Sequence, residues 1–158
     1  MRHPQLWLAG AIILIAIGIV YFSFNKPTGL SAGEVSFTQL SAGSYSSVTS
    51  RINYRVTSQS DLDALWQLTG AGGTAPAVDF SHYDVYGIFA GQEPSAGYAI
   101  AVSGIRDTAN RQVAITVTVP GPNCSATQAT TQPFQIIEVP TSTLTLAHTD
   151  TAAAKNCY

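Results

Sequence analysis

The chain has 158 residues and a net charge of −2, and charged residues make up only 10% of it. This is far below the roughly 25% that is typical of soluble domains. The length allows about one domain after an N-terminal segment is set aside. The few basic side chains form no stripe that could neutralise phosphates, which argues against a nucleic-acid partner. Abundant Ser, Thr and Gly favour strands and turns over surface helices.

The N-terminal segment is strongly apolar. Residues 6–24 read LWLAGAIILIAIGIVYFSF and contain no charge. As a helix this run would extend roughly 28 Å, close to the thickness of the bilayer hydrocarbon. Trp7 and Tyr21 lie near its two ends, where aromatic side chains prefer the membrane interface. We expect residues 1–26 to be an uncleaved signal-anchor, which attaches the protein to the membrane through residues 6–24.

A cleaved signal peptide is the alternative to an anchor. The apolar run is longer than a usual signal-peptide core, and the YFSFNK segment at its end is a poor match to the small residues that signal peptidase prefers. The charges around the run barely decide its orientation. The low charge and the cysteine pair of the remaining chain favour an exported C-terminal domain. The expected protein is therefore a single-pass membrane protein of the bacterial envelope, with its C-terminal domain outside the cytoplasm.

The rest of the chain has the patterns of a mainly β domain. Residues 27–47 form a linker with a possible first strand at 34–40, and the β domain covers residues 48–158. The other predicted strands, about six by their apolar patterns, are 51–56, 83–90, 98–102, 112–119, 134–139 and 143–147. One helix is predicted to begin with Ser60 as its cap, because Leu62, Leu65 and Trp66 follow at helical spacing.

These elements predict a small antiparallel sandwich or barrel with one short helix packed against it. The best strand is 112–119, in which Val113, Ile115 and Val117 alternate with small or polar residues. Strands 83–90 and 98–102 are expected to pair as a hairpin through the turn at 91–97. A second turn at 107–111 leads into strand 112–119.

The chain has two cysteines, Cys124 and Cys157. Outside the cytoplasm an isolated pair most simply forms a disulfide. The bond would attach the C-terminal tail to the Pro-Gly-Pro loop and close a loop of roughly 30 residues. The spacing of His, Cys and acidic residues indicates no metal site, and no motif indicates a cofactor.

No catalytic constellation is apparent. Ser81, His82 and Asp84 are near neighbours in the sequence, but adjacent residues of an extended chain point to opposite faces and cannot form a triad. Asp79 and Ser81 instead indicate a turn before the central strand. His148 and Asp150 could lie on one side of a strand, as a surface pair. We therefore expect a protein that is not an enzyme, while a hydrolase with an unrecognised site remains an alternative.

Several segments together resemble the C-terminal domain of the PrcB family, which is named after a subunit of a surface protease complex. They are the helix with Trp66, the pair Asp79-Phe80, the turn GIFAGQEPSAGYAI and the stretch VPGPNCSATQATTQPFQIIEVP. The single positions that match the family pattern are Trp66, Asp79, Phe80, Gly91, Gln92, Pro94, Gly97, Tyr98, Pro120, Gly121, Gln128, Thr131, Pro133 and Phe134. Ala96 replaces a glycine of that pattern, and Phe134 replaces a tyrosine.

The resemblance covers about residues 56–147 and implies a small, non-catalytic accessory domain. Such a domain would contact, and stabilise, another envelope protein, with a protease as the candidate suggested by the family name. The candidate binding residues lie in two loops: Gln92, Pro94, Gly97, Tyr98, Pro120, Gly121, Pro122, Asn123 and Gln128. The alternative is a protease inhibitor that acts through residues 94–98, which look like the Pro-x-x-Gly-Tyr loop of chagasin-type inhibitors.

Overall fold

The computed structural model describes residues 33–156, which belong to one compact unit spanning residues 32–158. The predicted anchor and Cys157 lie outside the described residues. Within the part that is described, no helix is long and apolar enough to span a membrane.

Seven strands and one helix form the described part of the chain. They are β1 (Thr38–Gly43), β2 (Ile52–Val56), α1 (Gln59–Gln67), β3 (Tyr83–Phe89), β4 (Ala99–Asp107), β5 (Arg111–Pro120), β6 (Phe134–Pro140) and β7 (Leu146–Lys155). A four-stranded sheet has the order β1-β6-β3-β2, and a three-stranded sheet has the order β4-β5-β7. The expected mainly β fold of two packed sheets with one short helix is confirmed.

The four-stranded sheet is the middle of three layers, and its central strand β3 is therefore apolar on both faces. Tyr86 and Ile88 pack with the buried residues of the three-stranded sheet. Val85 and Phe89 point to the other face, where α1 packs. A strand buried on both sides reads as a continuous apolar run rather than as an alternating one.

Strand β5 shows the alternation that its sequence predicts. Val113 and Ile115 are buried in the core between the sheets, whereas Ala114 is exposed. The turn predicted at 107–111 is also present, because Asp107 pairs with Arg111 where β4 and β5 meet. The turn of this hairpin lies at one end of the three-stranded sheet.

Helix α1 begins two residues earlier than predicted. Ser58, not Ser60, is the N-cap, and its hydroxyl accepts a hydrogen bond from the backbone N–H of Asp61. Such a cap satisfies one of the N–H groups that the first turn leaves without a partner. Leu62, Leu65 and Trp66 form the buried face of the helix, as predicted.

The predicted hairpin of residues 83–90 and 98–102 is wrong. β3 pairs with β2 and β6, whereas β4 pairs with β5 in the other sheet. The connection between β3 and β4 therefore crosses from one layer to the other. Both β3 and β4 present apolar side chains to the core between the sheets, so they meet face to face rather than edge to edge.

The predicted bounds of the first and last strands are also wrong. β1 is at Thr38–Gly43 rather than at residues 34–40, and β7 extends to Lys155 from a start at Leu146, beyond the predicted segment 143–147. β7 runs parallel to β5, so the sandwich is not purely antiparallel. Most of β7 is exposed and polar or small, and it therefore lacks the apolar alternation that reveals a strand.

An ion pair joins the two sheets along one side. Arg51, just before β2, contacts Asp150 of β7 through two hydrogen bonds of 2.8 and 3.0 Å. The Arg51 guanidinium, which is the largest cause, and His148 hold the pKa of Asp150 below its usual value, although partial burial opposes this. β2 and β7 are the last strands of their sheets, so this pair connects two sheet edges.

Candidate partner-binding surface

The two loops that carry the candidate binding residues lie against each other. Loop 91–98 connects β3 to β4 and loop 121–133 connects β5 to β6, and both leave their strands at the same end of the sandwich. Glu93 and Thr131 exchange backbone hydrogen bonds of 2.8 and 3.1 Å. The N–H of Ala96 donates to the carbonyl oxygen of Thr127 at 2.9 Å. We call the exposed side of these two loops the paired-loop surface.

A buried polar contact holds the two loops together. The hydroxyl of Thr131 donates to the carbonyl oxygen of Ser95 at 3.0 Å, and both residues are buried. A buried hydroxyl is costly unless it is hydrogen-bonded, so this contact fixes the position of both loops. Thr131 is one of the positions that match the PrcB pattern, whereas nothing in the sequence singled out Ser95 as an anchor.

Two glycines in these loops are required by geometry. Gly97 has a φ of 94°, a left-handed conformation that favours glycine. At Gly121 a Cβ atom would lie 2.6 Å from the carbonyl oxygen of Lys155, so a side chain there would collide with the end of β7. Ala96 does not have a positive φ, because every such residue in the described chain is a glycine. Its replacement of a family glycine therefore causes no backbone strain.

The predicted binding residues divide by exposure. Gln92, Pro94 and Gly97 are exposed on loop 91–98, whereas Tyr98 is half-buried. On the other loop the exposed members are Pro122, Asn123 and Gln128. Pro120 is half-buried and Gly121 is buried, so these two residues support the loops more than they present a contact.

A shallow cleft of about 210 Å³ lies between the two loops. Ala96 and Gly97 of one loop and residues 124–127 of the other line it, together with Pro120 and Lys155. Glu93 is the only formally charged side chain in either loop, and burial raises the pKa of its carboxyl. The lining is small and, apart from Lys155, uncharged, so the cleft lacks the cluster of cationic side chains that an anion site would use.

Cys124 lies at the point where loop 121–133 meets the end of β7. Its Sγ is 3.2 Å from the carbonyl oxygen of Lys155, and the N–H of Gly121 donates to that same oxygen at 3.0 Å. Lys155 precedes Cys157 by two residues in the chain. Cys157 lies outside the described residues, so its bond to Cys124 stays a prediction.

The Ser-His-Asp cluster before β3 has the geometry of a turn. Ser81 Oγ and Asp79 Oδ2 both approach Nδ1 of His82, at 2.9 and 2.8 Å. In a catalytic triad the serine and the acid contact opposite nitrogens of the imidazole. Hydrogen bonds from Ser81, and then from His82, lower the pKa of Asp79 to about 2. Asp84 is not part of this cluster, because it is buried and paired with Arg55 at 2.7 Å.

The predicted pair of His148 and Asp150 does exist on the surface of β7. Nδ1 of His148 lies 3.2 Å from Oδ1 of Asp150. The Asp150 carboxylate is already occupied by Arg51, a cation that a metal ion would have to displace. Within residues 33–156 no three side chains of His, Cys, Asp or Glu come together as a metal-binding group.

A known protein family matches the segment that contains both loops. The family model described as PrcB C-terminal matches residues 85–140. The matched segment begins in β3, includes both paired loops and ends with β6. No curated protein and no solved structure matches the chain. The resemblance that the loop motifs predicted is therefore confirmed: residues 85–140 match the PrcB C-terminal family.

Proposed function

We propose that this chain is a non-catalytic accessory module that binds and stabilises another protein of the bacterial envelope through the paired-loop surface. The PrcB match supports this role. It favours a protease complex as the setting, because the family is named after a subunit of a surface protease complex. The match includes both loops of the proposed contact.

The main observation is that the two loops are held to each other rather than projecting separately. The backbone bonds between Glu93 and Thr131 and the buried bond from Thr131 to Ser95 fix the loops on a rigid sandwich. A surface that is already ordered loses little conformational freedom when it binds. Loops positioned by a rigid scaffold are the usual place for binding residues.

Membrane attachment through residues 6–24 is part of the proposal. It is supported by the length and purity of the apolar run and by the Pro- and Gly-containing segment 27–33 that follows it. An anchored module outside the cytoplasm would be held near envelope partners. Compartments outside the cytoplasm are oxidising, and such a location would allow the disulfide between Cys124 and Cys157.

Affinity capture from native membranes tests the proposal, with the full-length chain as bait and partners identified by mass. Asn123→Arg places a long charged side chain on the paired-loop surface. Ala109→Arg places the same side chain on the exposed turn at the other end of the three-stranded sheet and is the matched control. We expect one envelope protein to be captured by the parent and by Ala109→Arg and to be lost with Asn123→Arg. Equal capture by all three would place the contact elsewhere.

Protease inhibition through residues 94–98 is the second candidate. Pro94 and Gly97 are exposed, as an inhibitory loop requires, but Ser95 between them is buried and bonded to Thr131. The segment therefore lies along its neighbour, and insertion into an active-site cleft is the less well supported role. Titration of papain-like and subtilisin-like proteases separates the two functions. Stoichiometric inhibition supports the inhibitor, whereas protection of one partner from self-digestion supports the accessory module.

A further inference from the structure

Strand β7 has one edge that no described strand covers. It is the last strand of the order β4-β5-β7, and it pairs with β5 along its whole length of 10 residues. From His148 onward every residue of the strand is exposed. Asp150 contacts Arg51 with its side chain only, and no residue between 33 and 156 forms a hydrogen bond with the outward backbone groups of the strand.

The direction of the backbone groups along β7 follows from two hydrogen bonds. Arg111 donates to the carbonyl oxygen of Thr145, and Gly121 donates to that of Lys155. In a parallel strand the N–H and C=O of one residue point to the same side, and those of the next residue point to the opposite side. The odd-numbered residues therefore bond to β5. The outer edge presents the N–H and C=O groups of His148, Asp150, Ala152 and Ala154.

This edge has few of the features that usually prevent strand addition, and the one acidic side chain within it, Asp150, is neutralised by Arg51. Natural edge strands are shortened, bulged, or carry prolines or charged side chains that block another strand. β7 is long, pairs with β5 in unbroken register, and contains no proline. Its one lysine, Lys155, is at the very end of the strand. Such an edge can accept a further strand by backbone hydrogen bonding.

The side chains of β7 identify the strand that fits best. The first half of the strand carries the larger side chains, those of His148, Thr149 and Asp150. Residues 152–154 in the second half are all alanine. If two copies of β7 pair antiparallel around Thr151, Asp150 faces Ala152 and His148 faces Ala154 of the other copy. The large half of each strand then lies against the alanine half of its partner.

The same alignment lets the outward backbone groups of the two copies form hydrogen bonds and keeps like charges apart. It pairs even-numbered residues with even-numbered residues, which are those whose N–H and C=O groups point outward. No two like charges face each other, and the two Thr151 side chains meet at the axis as a favourable threonine pair. An alignment centred on Asp150 would instead oppose two carboxylates. We propose that β7 is a self-pairing edge that joins two copies of this chain into a two-fold dimer with one continuous six-stranded sheet.

Cysteine cross-linking tests the alignment directly in the full-length chain, purified in mild detergent. Thr151 would face Thr151 of the other copy as a non-hydrogen-bonded pair, with Cα atoms about 4.5 Å apart. That distance is within the range that a disulfide spans. Thr149→Cys is the matched control, because it lies on the same face of the same strand but would face Ala153. Both variants keep Cys124 and Cys157, so exchange with these cysteines affects them equally.

We expect a reducible dimer from Thr151→Cys under mild oxidation and almost none from Thr149→Cys. Absence of the dimer in Thr151→Cys, or equal amounts in both variants, would overturn the proposed alignment. Sedimentation of the unaltered chain should also give the mass of a dimer. A monomer would overturn self-pairing and would leave the edge to an extended segment of a different protein.

Ala152→Pro removes one outward N–H without removing a bond to β5, so it should give a folded monomer with an unchanged circular dichroism spectrum. A dimer that persists in this variant would show that the copies meet at another surface. If Ala152→Pro does not fold, Thr151→Lys answers the same question by placing two positive charges at the axis. Thr151→Ser is its control and should remain a dimer.

Discussion

Gln135 of β6 accepts a hydrogen bond from the backbone N–H of Val102 in β4, and the two atoms are 2.6 Å apart. The bond crosses from the four-stranded sheet to the three-stranded sheet. Val102 lies in an edge strand, where alternate N–H groups have no strand partner. Gln135 is buried, and its side-chain nitrogen donates to Gln39 at 2.7 Å. A polar residue in the core is thus hydrogen-bonded through both its side-chain oxygen and its side-chain nitrogen, and it connects the two layers.

Gln135→Leu should destabilise the fold by about 1–3 kcal/mol, because it leaves the Val102 N–H buried without an acceptor. Gln39→Ala is the control. It should cost about 0.5 kcal/mol or less, since Gln39 is exposed and water can replace it. Thermal unfolding followed by circular dichroism measures both. Equal losses in the two variants would show that the bond to Val102 contributes little.

Trp66→Ala should cost about 3–5 kcal/mol, the usual loss when a buried large aromatic is truncated. Trp66 packs between α1 and the four-stranded sheet, and its indole N–H donates to the carbonyl oxygen of Gly72 at 3.2 Å. Trp66→Phe removes that hydrogen bond but keeps most of the apolar volume, so it should cost clearly less. A melting temperature of Trp66→Ala within a degree of the parent would contradict the buried position.

Acid should weaken the protein through Asp107. Arg111 is buried and donates two hydrogen bonds of 2.7 Å to the Asp107 carboxylate, which lowers the pKa of that carboxyl although burial opposes it. A lowered folded-state pKa gives stability that is present above the unfolded value, about 3.9 for Asp, and lost as the pH falls below it. Asp107→Asn should cost about 3 kcal/mol at neutral pH, since it leaves a buried guanidinium without its counter-charge.

The melting temperature of Asp107→Asn should also depend less on pH below about 4 than that of the parent. Asp63→Asn is the control, because Asp63 is an exposed carboxylate on α1. It should leave both the stability at neutral pH and the acid profile close to those of the parent. A profile of Asp107→Asn parallel to that of the parent would show that other carboxylates cause the acid loss.

The predicted disulfide between Cys124 and Cys157 should attach the end of β7 to loop 121–133. Replacing either cysteine by serine should lower the stability by about 2–4 kcal/mol without changing the fold. Intact mass of the envelope-purified protein, measured after thiol blocking with and without reductant, tests the bond. Two blocked cysteines in the non-reduced sample would contradict it, and would also weaken the case for an exported domain.

Sequence patterns predicted those elements whose signal is local. β5 alternates because one face is buried, and α1 follows from Leu62, Leu65 and Trp66 at helical spacing. The loops were recognised because their glycines and prolines are dictated by turn geometry, as Gly97 shows. The contact between the loops was not predicted, because Ser95 and Thr131 are 36 positions apart and no local pattern relates one to the other.

The pairing of strands required information that local patterns do not contain. Residues 91–97 resemble a hairpin turn, yet β3 and β4 belong to different sheets. Both strands are apolar, and apolar strands can meet edge to edge or face to face with the same sequence. The predicted strand 143–147 was too short, and its parallel direction was not predicted. Residues 148–155 have no buried face, so only their backbone bonding to β5 defines them as a strand.

The position of the partner contact is most directly tested by site-specific photo-cross-linking of the full-length chain in native membranes. A photoreactive side chain at Asn123 lies on the paired-loop surface, and one at Ala109 lies on the exposed turn at the opposite end. We predict that position 123 gives an adduct with one other envelope protein and that position 109 gives none. An adduct at 109 without one at 123, or no adduct at either position, would contradict binding through the paired loops.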